Sequence, residues 1–276
     1  MAVKIPFFFI HFLRLIGIYE IAKKFYRKYF LYSGIIKNDI ENILFYRSVN
    51  LKKGSFIDVG CYKGSKIDNF LNIDKKISII GIEPFTKYFN DLNRKYKNHT
   101  NVKILNMAAN DKSNIKKKFY YNHSILDKEA FSLIKTQRLN KKIYVRCCKI
   151  DDFIKNKPSI IKIDTEGAEL KVLNGSLKIL IKHRPFFFIE VTEKTFIKTV
   201  KKFNRKNYFV FIYEYNFFKK KLKNNWIKTN LIQNNLYEKK IYSVSQIQKF
   251  KYNNFMFNII CIPKENLGEF EDLIID

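Results

Sequence analysis

No apolar run in this chain of 276 residues reaches the roughly 20 consecutive residues that a membrane-spanning helix needs. The opening Ile5-Pro6-Phe7-Phe8-Phe9-Ile10 is interrupted by His11 and Arg14, and no small-residue cleavage site follows it, which argues against a signal peptide. Cysteines are few, and Cys61, Cys147, Cys148 and Cys261 have no C-x-x-C spacing. No zinc site is readable from them, and a reducing cytoplasm is the expected compartment. Acids are scarce too: 25 Asp and Glu face 53 Lys and Arg, a net charge of +28. Such a surplus resembles a nucleic-acid footprint. Arginine, however, is the better reader of phosphates and bases, and it supplies only 8 of the 53 cations. The lysines are spread through the chain among Asn, Ile, Phe and Tyr, the pattern of AT-rich codons. Nucleic acid is therefore not the expected partner, although anionic surfaces should still attract the chain. There is no internal repeat. A hydrophobic fraction of 46% excludes general disorder, and the length suits one large α/β domain with extensions.

The rest of the chain is organised around Ser55-Phe56-Ile57-Asp58-Val59-Gly60-Cys61-Tyr62-Lys63-Gly64-Ser65. A short apolar run ends in a glycine-containing turn, and a segment with Ile67, Phe70 and Leu71 follows, as when a buried parallel strand passes into a helix. Gly60 and Gly64 suit the loop because they tolerate unusual backbone angles and let a ligand approach the main chain. A second strand, Ile77–Ile82, ends in Glu83-Pro84, and Glu83 follows Gly60 by 23 residues. That is close to the roughly 20 residues that separate a glycine turn from a ribose-binding carboxylate. A dinucleotide site wants G-x-G-x-x-G to cradle a pyrophosphate, and the second of those glycines is missing. S-adenosylmethionine carries no phosphate, so a turn plus a ribose acid suits it better.

Further along, Ile36, Ile40, Ile43 and Leu44 predict a helix over 36–50, and Phe85, Tyr88, Phe89, Leu92 and Tyr96 predict an amphipathic crossover helix. Val102–Ala108 reads as the third strand. The runs Lys116–Asn122 and Ile143–Ile150 are rich in strand formers and enclose a polar excursion around His123–Lys142. Ile160–Ile163 ends at Asp164, with Leu170, Leu173, Leu177 and Leu180 marking the helix after it. Phe186–Ile189 ends at Glu190, Tyr208–Tyr215 and Phe255–Ile262 are late strands, and 216–250 reads as a Lys- and Asn-rich irregular insertion. Alternating strands and helices predict a mostly parallel sheet with helices on both faces. Ligands in such sheets sit beyond the carboxyl ends of the strands, so Asp58, Glu83, Asp164 and Glu190 should converge at one edge. The early segment, with Lys23, Lys24, Arg27 and Lys28, is basic and aromatic; it could dock on the fold or a partner, or lie on an anionic membrane.

These residues resemble the FkbM-type S-adenosylmethionine-dependent methyltransferases. The resemblance is carried by Ile57-Asp58-Val59-Gly60 with Gly64, Ile82-Glu83-Pro84, Asn101-Val102 through Ala108-Ala109, and Ile150-Asp151-Asp152-Phe153. It continues in Ile161-Lys162-Ile163-Asp164-Thr165-Glu166-Gly167-Ala168-Glu169 with Leu173 and Gly175, and in Arg184-Pro185 with Glu190. It spans about residues 55–192, and Cys61-Tyr62 stand where the family usually has Ala-Asn. The resemblance implies a Rossmann-like class I methyltransferase fold, a seven-stranded sheet whose last strand, Phe255–Ile262, is antiparallel. Residues 1–50 would be an N-terminal helical extension and 51–276 the methyltransferase domain. It also implies methylation of a hydroxyl on a sugar, glycan or secondary metabolite, with a small-molecule or glycan acceptor. Asp58, Gly60, Gly64, Glu83, Pro84 and Ala108 are then the cofactor-binding residues. In this reading Glu83 accepts from the ribose hydroxyls, Asp58 holds the loop and the positively charged methionine end, and Asn106–Ala109 lies near the adenine.

Methyl transfer to oxygen is an in-line displacement that needs alignment and a base, and Asp164 and Glu166 are the candidates. Glu166 could instead pair with Lys162 or cap the next helix. His123 is a further candidate base. Asp164, Glu166 and Glu190 could also hold Mg²⁺, although no metal is assigned among the site residues. Two other functions stay open. One is a nucleic-acid methyltransferase, against which the chain lacks a strand-end [DN]-P-P-[YFW]. The other is a cofactor-binding protein without catalysis, which the changed Cys61-Tyr62 loop permits.

Overall fold

The structure is a computed structural model, and it describes residues 40–122, 130–134, 141–216, 241–243 and 256–275. The strands are β1 (Ser55–Val59), β2 (Ile79–Ile82), β3 (Val102–Leu105), β4 (Ala108–Ala109), β5 (Lys116–Asn122), β6 (Ala130–Ser132) and β7 (Lys141–Cys148). After them come β8 (Pro158–Ile163), β9 (Phe186–Thr192), β10 (Tyr208–Asn216), β11 (Ile241–Ser243), β12 (Met256–Pro263) and β13 (Ile274–Ile275). The helices are α1 (Ile40–Leu51), α2 (Ser65–Ile73), α3 (Thr86–Lys95), α4 (Glu169–Asn174), α5 (Leu177–Lys182) and α6 (Glu193–Asn204).

Seven strands lie in the order β3-β2-β1-β8-β9-β12-β10. All are parallel except β12, which runs antiparallel to both β9 and β10. The antiparallel strand expected at Phe255–Ile262 is thus β12, and the short β11 and β13 extend the sheet beyond β10. The sheet is doubly wound because its central strands are apolar on both sides. Phe56, Ile160, Phe186 and Phe188 face α1 and α2, while Ile57, Val59, Ile161, Phe187 and Ile189 face α4, α5 and α6. Such strands survive only when helices cover both faces. Phe56 stacks on Phe70 of α2 with ring centroids 3.7 Å apart, and Phe188 meets Phe45 of α1 edge-on at 4.4 Å. Truncating one of these rings to alanine costs about 3–5 kcal/mol.

A second sheet, ordered β4-β7-β5-β6, stands beside the first. It corrects the expectation of one strand over Val102–Ala108. The Asn106 amide donates to the carbonyls of Glu83 and Pro84, both at 3.0 Å, which pulls the chain out of the ladder. Ala108 and Ala109 then pair with Cys147 and Cys148 instead. The helix expected after Asp164 is two helices. Gly175 lies between them, at a position where a Cβ would lie 2.1 Å from the Asn110 carbonyl oxygen. The helix expected over 36–50 is α1, which packs on the sheet. Within 216–250 the described β11 pairs with β10, so that segment is not wholly irregular. The membrane or docking role of residues 1–30 and the role of His123 fall outside the described residues. Among the described residues no helix is long and apolar enough to cross a membrane.

Candidate active site

The sheet order reverses at β1, which has β2 on one side and β8 on the other, and a crevice opens there. The chain leaves β1 at Gly60 with φ at +79°, a backbone state that side chains rarely adopt. A Cβ on Gly60 would lie 2.0 Å from the Asp164 carbonyl oxygen. The two neighbouring strand ends can approach this closely only because Gly60 has no side chain. The Gly60 N–H donates to the Ile82 carbonyl at 2.9 Å, and the Asp164 N–H donates to the Val59 carbonyl at 3.0 Å. Three strand ends are thereby fixed around one point.

A cleft of about 250 Å³ lies beyond those ends. Of the expected site residues, Gly60, Glu83, Pro84, Ala108, Asp164 and Glu166 line it, and Asp58 and Gly64 do not. Gly64 lies behind the loop, where its carbonyl accepts the Tyr96 hydroxyl at 2.8 Å. Asp58 is 1% exposed, and neither of its oxygens has a hydrogen-bond partner among the described residues. It does not tie down the loop, as the sequence reading expected. That task falls to Glu83, whose Oε2 accepts the Tyr62 N–H at 2.9 Å and whose Oε1 accepts the Phe85 N–H at 2.8 Å. Each Glu83 oxygen keeps a second lone pair for a ligand. Burial pushes Glu83 up to about 7, against the pull of those two N–H donors. Burial likewise raises Asp58 to about 6, with Lys162 opposing. Asn106 is committed to the Glu83-Pro84 turn, while Ala108 and Ala109 form part of the cleft wall.

On the other side of β1 lies an acidic group. Asp164, Glu166 and Glu190 each bring a carboxylate oxygen within 4.8 Å of the others. Lys162, only 5% exposed, donates from Nζ to Asp164 Oδ2 at 2.9 Å. Burial alone would raise Asp164, but Lys162 and a hydrogen bond from Glu190 hold it below the usual carboxylate range. Glu190 holds the shared proton: burial and the Asp164 charge raise it to about 9. Glu166 stands at φ +51° beside Gly167 at +105°, a turn that Ser132 Oγ braces by donating to the Glu166 carbonyl at 2.9 Å. Glu166 is exposed at the rim of the cleft, yet partial desolvation of its carboxyl, together with Asp164 and Glu169, pushes it up to about 7. Two alternative readings of Glu166 therefore change. Lys162 forms its ion pair with Asp164, and α4 begins without a side-chain cap: Glu169 Oε1 instead accepts from Gly167 N–H at 2.7 Å and Thr165 Oγ1 at 3.1 Å in the turn before it.

Three clustered carboxylates are the donor type that Mg²⁺ prefers. Here the Lys162 ammonium already takes Asp164 Oδ2 and competes with a cation for that oxygen. Sequence reasoning missed Phe119 and Leu133, which bring the small sheet into the cleft wall, and it left Tyr62 aside. The signal for Phe119 was the alternation in Lys116–Asn122, where Phe119 is the buried position.

A doubly wound sheet of this strand order, with a glycine turn and a buried acid at its switch point, defines the class I methyltransferase fold. Residues 58–224 match the methyltransferase FkbM domain, and the chain belongs to that family. Among solved structures, an FkbM methyltransferase from Methylobacillus flagellatus is 20% identical, over 60% of this chain and 36% of that one, with a TM-score of 0.37. The chain thus spans about a third of that relative's length. Precorrin-6y C5,15-methyltransferase from Geobacter metallireducens is 12% identical over 84% of this chain and 91% of that one, at a TM-score of 0.42. Aeropyrum pernix fibrillarin with bound S-adenosyl-L-methionine is 8% identical over 75% and 66%, at 0.38. No curated protein matches the chain.

Proposed function

We propose that this chain is an S-adenosylmethionine-dependent O-methyltransferase acting on a hydroxyl of a sugar, glycan or secondary metabolite. The observation that carries the reading is one cleft with Glu83 on the β2 side and the Asp164–Glu166 pair on the β8 side. When bound, the cofactor supplies an electrophilic methyl group on a sulfonium. Ionised Glu83 would accept the ribose hydroxyls through its free lone pairs, and Ile82, Ala108 and Phe119 would give a flat ring an apolar wall. Asp58 and Asp164 make the region beside β1 negative, which suits a cation there. Asp164 is kept ionised and fixed in place by Lys162. Glu166, raised toward neutrality, is matched to accepting the hydroxyl proton as the methyl group transfers. No step requires a metal.

The test is incubation of the purified chain with methyl-labelled cofactor and a panel of glycans and small polyols, read by mass spectrometry. One added methyl on an oxygen of a candidate acceptor is the expected result. Transfer to a nucleobase or amine overturns the reading. Tight cofactor binding with no transfer to any acceptor in lysate favours a binding protein without catalysis.

A further inference from the structure

We propose that the outer face of the small sheet is a docking surface for an acidic lipid bilayer. Along β5 and β7 the side chains alternate, and three directly opposed pairs face outward: Lys116 with Arg146, Lys118 with Tyr144, and Tyr120 with Lys142. Their neighbours Phe119 and Val145 turn inward to the cluster around Ala108. Four cations and two tyrosines therefore share one face, and none of these six residues is acidic. Among the described residues no ion pair neutralises any of the four cations, whereas Lys66, Lys95, Lys162 and Arg184 all have carboxylate partners. Like charges set directly opposite across a ladder are unfavourable, so the Lys116–Arg146 pair does not serve the sheet. An anionic partner turns that repulsion into attraction.

The chemistry of the face favours lipid over a nucleic-acid strand. Sheet surfaces that bind a single strand stack bases on two or three aromatics, whereas of the two tyrosines on this face only Tyr144 is exposed. Three of the four cations are lysines, point charges suited to a diffuse negative layer, whereas arginine forks suit individual phosphates. Tyr144 is 65% exposed in the middle of the array. A tyrosine ring with a polar tip is the side chain that settles at a membrane–water interface. Each Lys or Arg brought near an anionic leaflet strengthens adsorption about fivefold.

The experiment is co-sedimentation of the full chain with vesicles of phosphatidylcholine, alone or with about one-third phosphatidylserine, in about 0.1 M salt. Binding is expected only to the acidic vesicles and is lost in about 1 M salt, where the screening length shrinks to about 3 Å. The double variant Lys118→Glu/Lys142→Glu should weaken adsorption at least 25-fold, by the fivefold-per-charge scale. Lys198→Glu/Lys201→Glu makes the same change of net charge on exposed positions of α6 and should weaken it by less than about fivefold. Tyr144→Ala, which leaves the charge alone, should also weaken it. Circular dichroism establishes that each variant is folded. Equal losses in the two double variants would reduce the effect to net charge and overturn the proposal. So would adsorption that survives Lys118→Glu/Lys142→Glu. A single-stranded oligonucleotide that binds more tightly than the vesicles, and is released by that same variant, would assign the face to nucleic acid and overturn it as well.

Discussion

Glu83→Gln tests cofactor recognition while keeping half of the structural task of the same side chain, since its one oxygen can still accept from Tyr62 or Phe85 but not from both. In the native cleft each Glu83 oxygen already accepts one backbone N–H, from Tyr62 and from Phe85. Removing the side chain altogether would strand two buried donors, at about 1–3 kcal/mol each, and confuse loss of fold with loss of binding. Glutamine keeps the volume and one acceptor, but it replaces a charged acceptor of ribose hydroxyls with a neutral one. Hydrogen bonds to a charged group contribute about 1.5–3 kcal/mol against roughly 1 for neutral pairs. Cofactor affinity measured by titration calorimetry at pH 8 should therefore fall about 2- to 30-fold for each ribose hydrogen bond so weakened. The parent protein adds a second signature. Its Glu83 titrates near 7 when the cleft is empty, and only the ionised form can accept from both hydroxyls. Affinity should rise between pH 6 and pH 8 in the parent by up to about tenfold per pH unit below that value, and should lose most of that dependence in Glu83→Gln. A folded Glu83→Gln protein that binds the cofactor as tightly as the parent, with the same pH profile, would remove Glu83 from the ribose site.

Gly60→Ala tests the close approach of β1 and β8: its Cβ has only 2.0 Å to the Asp164 carbonyl oxygen and φ is +79°. Thermal and denaturant unfolding should show a loss of at least about 2 kcal/mol, and an unchanged midpoint would refute the geometry. The acidic group predicts a pH trend of definite sign. Glu190 in the folded state is raised to about 9, above its unfolded value of about 4.3, so the proton it retains stabilises the fold at low pH. That contribution is complete below about pH 4 and is lost as pH rises through the folded value. Glu190→Gln, which can still donate to Asp164, should flatten the fall in melting temperature between pH 7 and pH 9; parallel curves for parent and variant would argue against the shared proton.

The parts of the site that could be read in the sequence are those built from a strand and its own next few residues. The Asp58–Gly64 turn, Glu83 after β2 and Asp164 after β8 all depend on where an apolar run stops, and local sequence states that directly. What escaped detection depends on tertiary partners. Asn106 was read as strand because nothing nearby in sequence shows that its amide will reach the Glu83 and Pro84 carbonyls. The close approach of the Asn110 carbonyl to Gly175 comes from 65 residues away in the chain. Phe119 and Leu133 enter the cleft wall only because the small sheet folds back against it. Asp58 was expected to hold the loop, but Glu83 does so, because its two oxygens reach the Tyr62 and Phe85 amides while Asp58 faces Lys162 under the sheet edge. The left-handed turn at Glu166-Gly167, which leaves the Gly167 amide to the Glu169 carboxylate rather than to Glu166, was also not legible locally.

That same turn decides what Glu166 is free to do. With Lys162 committed to Asp164 and no side chain capping α4, Glu166 has neither structural task. Its side chain lines the open rim of the cleft, where partial desolvation of the carboxyl and two neighbouring acids raise it to about 7. An ordinary carboxylate is a poor base for an alcohol; one near neutrality is ionised at working pH and holds a proton more firmly once it takes it. Asp164 is held in the opposite direction by Lys162 and suits positioning and charge better than proton removal. Glu166→Gln preserves shape and hydrogen-bonding reach while removing the basic site. On a confirmed acceptor, turnover should fall by about 10²–10⁴, the range for a general base, with cofactor affinity nearly unchanged. The parent's turnover should rise with pH through about 7 as Glu166 ionises, and that limb should be absent from the residual activity of the variant. If Glu166→Gln turns over at the parental rate, or keeps the same limb, the proton leaves by another route and Glu166 serves only to shape the turn.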